Sequence, residues 1–156
     1  RHSTLFPYTT LFRSCEAQRA EVFAGRQAPA SLGEPPAWLA QLAEALRLDG
    51  VAESAAAKAL RAQAMAEADA SGGRIDGVPF AWLTDGDERL GPVLEAMVDG
   101  RYLWIPFDRL RRIAGEGPKD LKDLVWLPMT LTLANAGDVG QIRSDRLQFA
   151  AVGERP

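Results

Sequence analysis

Histidine and cysteine are nearly absent: the 156 residues contain one of each, His2 and Cys15. One histidine cannot supply a Ser-His-Asp triad, and an imidazole metal site has almost nothing to build on. One cysteine cannot close an internal disulfide, so a reducing compartment is the simplest setting. No run approaches the roughly 18 consecutive apolar residues of a transmembrane helix. Phosphate-cradling loops are missing too. No Gly-x-x-x-x-Gly-Lys stands between a strand and a helix, and no Gly-x-Gly-x-x-Gly follows a strand.

What the chain does contain is an ordinary globular composition, 47% hydrophobic and 25% charged, with a formal net charge of −3. Mild acidity argues against general nucleic-acid binding, which is driven by phosphate neutralisation and counterion release. The segment Thr4 to Ser14, TLFPYTTLFRS, reads as the conceptual translation of a sequencing adaptor in one frame. Residues 1–14 are therefore set aside from fold reasoning, and His2 goes with them. An adaptor fused to coding sequence marks a broken end, so the chain is expected to begin inside a longer protein.

The stretch Arg89 to Ile113 organises the rest. Val93–Val98 and Arg101–Ile105 are apolar-rich runs joined by Asp99-Gly100, the strongest short-range hairpin signal because both turn residues need positive φ. Tyr102 and Trp104 are expected to put aromatic bulk on opposite faces of the second strand. Pro106 ends the ladder, and a shorter basic stretch from Phe107 to Ile113 follows.

Upstream, Glu16 to Gly25 reads as the tail of a helix, and Gln27 to Pro36 as a proline- and glycine-punctuated loop. A helix opens at Pro35 or Pro36, with Trp38, Leu39, Leu42, Ala45 and Leu46 on one face, and ends at Asp49-Gly50. An alanine-dense helix over about Val51 to Ala68 completes a helical hairpin. Its spacing also loosely fits one tetratricopeptide-type unit, although Ala59 stands where an aromatic is usual; an ordinary helix pair explains the pattern as well.

Ala70-Ser71-Gly72-Gly73 marks the boundary. Beyond it come a small hairpin at Asp76-Gly77 with Pro79 on an edge strand, an acidic loop Thr84 to Glu88, and the central hairpin. A short helix over Pro118 to Leu124 follows, then strands Met129–Leu133 and Val139–Arg143 around a turn at Asn135 to Asp138. The expected fold is α+β. A helical, tetratricopeptide-like part (15–70) precedes a small antiparallel, partly barrel-like β domain with a short helix (71–146) and a tail (147–156).

Two clusters could carry chemistry. Asp85, Asp87 and Glu88 offer oxygen ligands for calcium or magnesium, the basis of a histidine-free metal-dependent enzyme, yet the loop is too short for an EF-hand pattern. A solvated turn with Arg89 pairing one carboxylate explains it too. Arg109, Arg111 and Arg112 could bind an anion or nucleic acid. The plainer reading is a surface ion network with Asp108, Glu116 and Asp120. Trp38, Trp82, Trp104 and Trp126 read as core, though aromatics with arginine also make interface hot spots.

An ordered set of motifs runs through the chain: Leu32-Gly33-Glu34-Pro35-Pro36-x-Trp38, then Ile75-Asp76-Gly77-x-Pro79-Phe80-x-Trp82, then Asp87-x-Arg89-Leu90-Gly91-Pro92-Val93-Leu94-Glu95. Gly100-Arg101-Tyr102-x-Trp104-x-Pro106-Phe107 and Pro118-x-Asp120-Leu121-x-Asp123-Leu124-Val125-Trp126 continue it. Over roughly Glu16 to Arg146 this resembles the ImpE/TagJ (SciE-type) accessory proteins of bacterial type VI secretion systems. The resemblance implies a tetratricopeptide-like helical part before a small α+β domain, with further helices upstream that this chain would lack. It implies a cytoplasmic, non-enzymatic component without cofactor, metal or catalytic residues. Its partners would be the small subunit of the contractile sheath and, through sheath recycling, the AAA+ unfoldase ClpV; neither nucleic acid nor membrane is expected. The candidate partner-binding residues are Arg89, Tyr102, Phe107, Arg109 and Arg112.

Overall fold

A computed structural model describes residues 6–124, 126–134, 137–145 and 149–152. Three helices come first: α1 (Phe6–Phe23), α2 (Ala37–Gly50) and α3 (Ser54–Glu67), with the two-residue strand β1 (Ala30–Ser31) between the first two. Helix α1 reaches back through most of the segment set aside on sequence grounds. Helix α2 starts directly after Pro36 and stops at Gly50, and buries the expected Trp38, Leu39, Leu42, Ala45 and Leu46. Each leucine of that stripe contributes about 1.5–3 kcal/mol relative to exposure. Small side chains let α3 lie close, with Ala57 and Ala64 buried between the helices, and Arg61 pairs with Asp49 across them.

The remaining elements are strands and two single turns of 3-10 helix. The strands are β2 (Gly73–Ile75), β3 (Val78–Phe80), β4 (Trp82–Asp85), β5 (Val93–Val98), β6 (Arg101–Pro106), β7 (Leu110–Ala114), β8 (Trp126–Leu133), β9 (Gly137–Asp145) and β10 (Phe149–Val152). The 3-10 turns are Phe107–Arg109 and Leu121–Leu124. The second lies within the stretch Pro118 to Leu124 where a short helix was expected.

Strand order in the main sheet is β1-β6-β5-β9-β8-β7, antiparallel throughout except for the parallel β1–β6 pair. The central hairpin forms as its sequence dictates. Asp99 and Gly100 have φ of 49° and 76°, and Val98 pairs with Arg101 across the turn. Its neighbour on the other side is β9, more than forty positions later, at Ala96↔Ser144 and Met97↔Arg143.

Four expectations change. The sheet is open, with β1 and β7 as its ends, so no barrel closes. The loop Gln27 to Pro36 contains β1. The segment read as a tail contains β10, which pairs with β4 from Phe149↔Asp85 to Val152↔Trp82. Tyr102 and Trp104 share one face, because residues two apart in a strand point the same way. Asn135 and Ala136 of the last expected turn lie outside the described residues, as do His2 and Leu147.

One face of the sheet packs on the helices. Val93, Met97, Tyr102, Trp104 and Trp126 join Val22, Trp38, Leu42 and Ala64 in a single cluster that also takes in Trp82. All four tryptophans are core residues. The other face carries Leu94, Ala96, Leu103, Ile105, Phe107, Met129 and Leu131. Helices and sheet therefore share one hydrophobic core across the break at Ser71.

The helices also meet through backbone. Gly25 has φ +72°, and a Cβ built there would stand 2.9 Å from Arg47 Cα and 3.0 Å from Arg47 O. Neither atom can move without shifting α2. Gly25→Ala adds the left-handed penalty, about 1–2 kcal/mol, to that clash. It should lower the unfolding free energy by about 2 kcal/mol or more, measured by urea denaturation.

Candidate partner-binding groove

The antiparallel hairpin β2–β3 stands apart from the main sheet, with Ile75 and Val78 exposed. Between it and β7 runs a groove of about 460 Å3. Phe80, Phe107, Leu110, Ile113 and Met129 form its apolar floor, and Arg74, Arg111 and Arg112 line it as cations. The sequence produces this locally. Phe107 turns inward on its 3-10 turn, and the register then slips between Leu110 and Arg112, so consecutive arginines both reach solvent on β7. Among the described residues neither Arg111 nor Arg112 makes an ion pair. Arg74 donates to the carbonyl of its own turn, Gly77, at 3.4 Å. The Oγ of Ser71, on the groove wall, has no hydrogen-bond partner.

A second cleft, about 320 Å3 between Gly25–Pro29 and α2, differs in charge. Its arginines are already matched, Arg26 to Glu21 and Arg47 to Glu44, each at 2.7 Å.

The candidate residues separate accordingly. Arg112 lines the β7 groove at its surface, and Phe107 lies in the floor, 4% exposed. Among the described residues Arg109 makes no salt bridge, although its charge acts on the neighbouring Asp108 carboxylate; it donates to the carbonyls of Leu32 (2.5 Å) and Glu34, tying the loop after β1 to the sheet. Glu116 pairs with Lys119 instead of an arginine. Tyr102 is 2% exposed in the core, too deep to meet a partner directly. Arg89 is bound to Asp87 through Nε (2.9 Å) and Nη2 (2.6 Å). Its guanidinium stacks on Phe23 at 4.6 Å, and that of Arg19 stacks on the same ring at 4.2 Å.

The acidic loop spends its carboxylates on itself. Asp85 Oδ1 accepts the Asp87 backbone N–H at 2.7 Å, and Asp87 takes the Arg89 N–H at 3.0 Å as well as its guanidinium. Among the described residues no group of three or more His, Cys, Asp or Glu is placed to hold a metal. Burial pushes the Asp85 carboxyl from its ordinary 3.8 up to about 6, and the Glu95 charge adds to this, whereas the Arg89 hydrogen bond holds Asp87 low. An acid raised in the folded state favours folding below its unfolded value, and that stability is lost as pH rises from 3.8 through about 6. Asp85→Asn, which keeps an acceptor for the Asp87 N–H, should raise the urea midpoint at pH 7. The gain should vanish below about pH 4.

A second polar cluster, unanticipated from the sequence, joins α1 to the sheet. Glu95 is 4% exposed, on the same face of β5 as Val93 and Met97. Arg19 meets it through Nε–Oε1 at 2.7 Å and Nη2–Oε2 at 3.2 Å. The Tyr102 hydroxyl donates to Glu95 Oε1 and accepts the Trp104 indole N–H at 2.8 Å. Burial, then the Glu95 charge, drives the Tyr102 pKa far up, so the phenol stays a donor. Gln18 donates to Gly100 O at 3.1 Å and accepts from Tyr102 N at 3.0 Å, taking the place of a strand at the end of the hairpin. Glu16 accepts the Trp126 indole N–H at 2.6 Å. Beside it the buried Cys15 thiol, raised to about 11 chiefly by burial, is unreactive as a nucleophile. The pattern Val93-x-Glu95-x-Met97, a carboxylate on an apolar face, was the available signal for this cluster. Arg19, 76 positions away, gave none.

Residues 77–143 match the family model described as ImpE protein. The type VI secretion system accessory component TagJ of Pseudomonas aeruginosa is 58% identical over 123 residues, which are 79% of this chain and 44% of that protein. The chain thus spans less than half the length of that curated relative. The crystal structure of protein VPA1032 from Vibrio parahaemolyticus superposes with a TM-score of 0.74 over 89% of this chain and 53% of that one, at 21% identity. That likeness is one of fold.

Proposed function

This chain belongs to the ImpE/TagJ family, and from that premise we propose that it is a non-enzymatic accessory component of a bacterial type VI secretion system. It acts by binding other proteins, and no chemistry passes through it. The partner is the contractile sheath, through its small subunit, with a link to ClpV-dependent recycling of contracted sheath. The α2–α3 pair serves as one tetratricopeptide-type unit of a longer helical array, and the site of action is the cytoplasm. Among the described residues no helix is long and apolar enough to cross a membrane.

The observation that carries this reading is the 58% identity to an accessory component of that system, over nearly four-fifths of the chain. The groove supports it, since an apolar floor rimmed by unpaired arginines suits a protein partner better than a small substrate. The test is co-expression of the tagged chain with each sheath subunit in turn. Capture of the small subunit is expected; capture of neither would sink the proposal.

A further inference from the structure

Strand β7 ends the six-stranded sheet. One of its edges is bonded to β8, and the other has no strand partner among the described residues. Open edges are pairing templates, and proteins guard them with charges and bulges. Arg111, Arg112 and the register slip between Leu110 and Arg112 could do no more than that. Guarding, however, needs neither an apolar trough beside the edge nor a third cation across it. Here Phe107, Ile113 and Met129 line the trough, and Arg74 stands on the β2–β3 hairpin that walls it. Asp76 is the one carboxylate among the described lining residues, in a chain whose overall charge is −3. The groove is thus a local reversal of the molecule's own sign.

Resting on the protein-binding reading above, we propose that this groove takes an extended acidic segment of a partner protein, added as a further strand along β7. Backbone hydrogen bonds to the open edge supply affinity, apolar side chains at alternate positions enter the trough, and carboxylates meet the guanidiniums of Arg74, Arg111 and Arg112. A simple inorganic anion would leave the apolar floor unused. A nucleic acid would bring the right charge but nothing for that floor, and the acidic body would repel it.

The test pans a random-peptide library on the full chain, with counter-selection on the R111E/R112E variant after far-UV circular dichroism has shown its fold unchanged. Enriched peptides should be net acidic with apolar residues at alternate positions, and R111E/R112E should bind them about tenfold more weakly or worse. Backbone N-methylation at alternate residues should abolish binding, because it removes the donors a strand needs. Neutral or basic winners, no enrichment, or equal binding to R111E/R112E would overturn the proposal. Unimpaired N-methylated peptides, or tight binding of a single-stranded oligonucleotide, would do the same. The functional reading fails separately. Sheath capture that persists in R111E/R112E, without acidic peptide binding by the parent chain, removes this inference alone; absence of sheath capture by the parent chain removes that reading alone.

Discussion

Replacing Glu95 with alanine is expected to lower the unfolding free energy by about 3 kcal/mol, at the lower end of the range for breaking a buried ion pair. Glu95 has a side-chain exposure of 5%, and two partners converge on its carboxylate, the Arg19 guanidinium and the Tyr102 hydroxyl. Truncation leaves both facing an apolar gap. Arg19 is 27% exposed and can recover part of its hydration by swinging outward, which is why the effect stays below the maximum. The Tyr102 hydroxyl cannot move, being fixed on β6 with the Trp104 indole N–H bonded to it. Urea denaturation followed by far-UV circular dichroism measures the loss. Glu95→Gln, which keeps an acceptor for Tyr102, should lose less. A loss under about 1 kcal/mol for the alanine variant would reduce the cluster to the value of a surface ion pair.

Trp104→Ala should be at least as damaging, about 3–5 kcal/mol, the usual range for removing a fully buried large aromatic. Trp104 is 0% exposed and pairs directly across from Glu95, so its loss opens a cavity at the centre of the cluster between helices and sheet. The same substitution takes away the donor that Tyr102 accepts. Since Tyr102 bridges both residues, the double variant E95A/W104A should lose less than the sum of the two single losses. Strict additivity in a double-mutant cycle would show that the bridge carries no coupling.

Much of this architecture could be read in advance because it is local. Asp99-Gly100 dictates a turn from its own φ requirements, and the α2 stripe declares its buried face through three- and four-residue spacing. Pairings across distance could not be read. Nothing in Val93–Val98 says that its second neighbour is β9, and nothing in Ala30–Ser31 says that it lies parallel to Leu103 and Trp104. The groove was legible in part: the arginines and Phe107 were visible as a basic stretch after Pro106, but the facing wall comes from a hairpin thirty-odd residues earlier. Arg109 shows the limit most plainly. Its charge suggested an anion site, yet it is consumed by two carbonyls that no sequence pattern connects to it.

The insertion of β9 between β5 and β8 has a consequence for how the chain is made. Synthesis runs from the N-terminus, so α1, α2 and α3 leave the ribosome before β2 to β10, with only the two-residue β1 emerging among them. Trp38, Leu39, Leu42 and Leu46 then have only other helices to shield them. The β5–β6 hairpin can form as soon as it emerges, but its outer flank stays bare until Ala96 and Met97 find Ser144 and Arg143. The β5–β6 and β7–β8 pairs are therefore joined into one sheet late, when β9 arrives in the last part of the described chain. Nascent chains in that interval expose a raw strand edge along β5, the kind of feature that seeds aggregation and draws chaperones. Slow elongation through this stretch, or truncation before β9, turns a transient state into a persistent one.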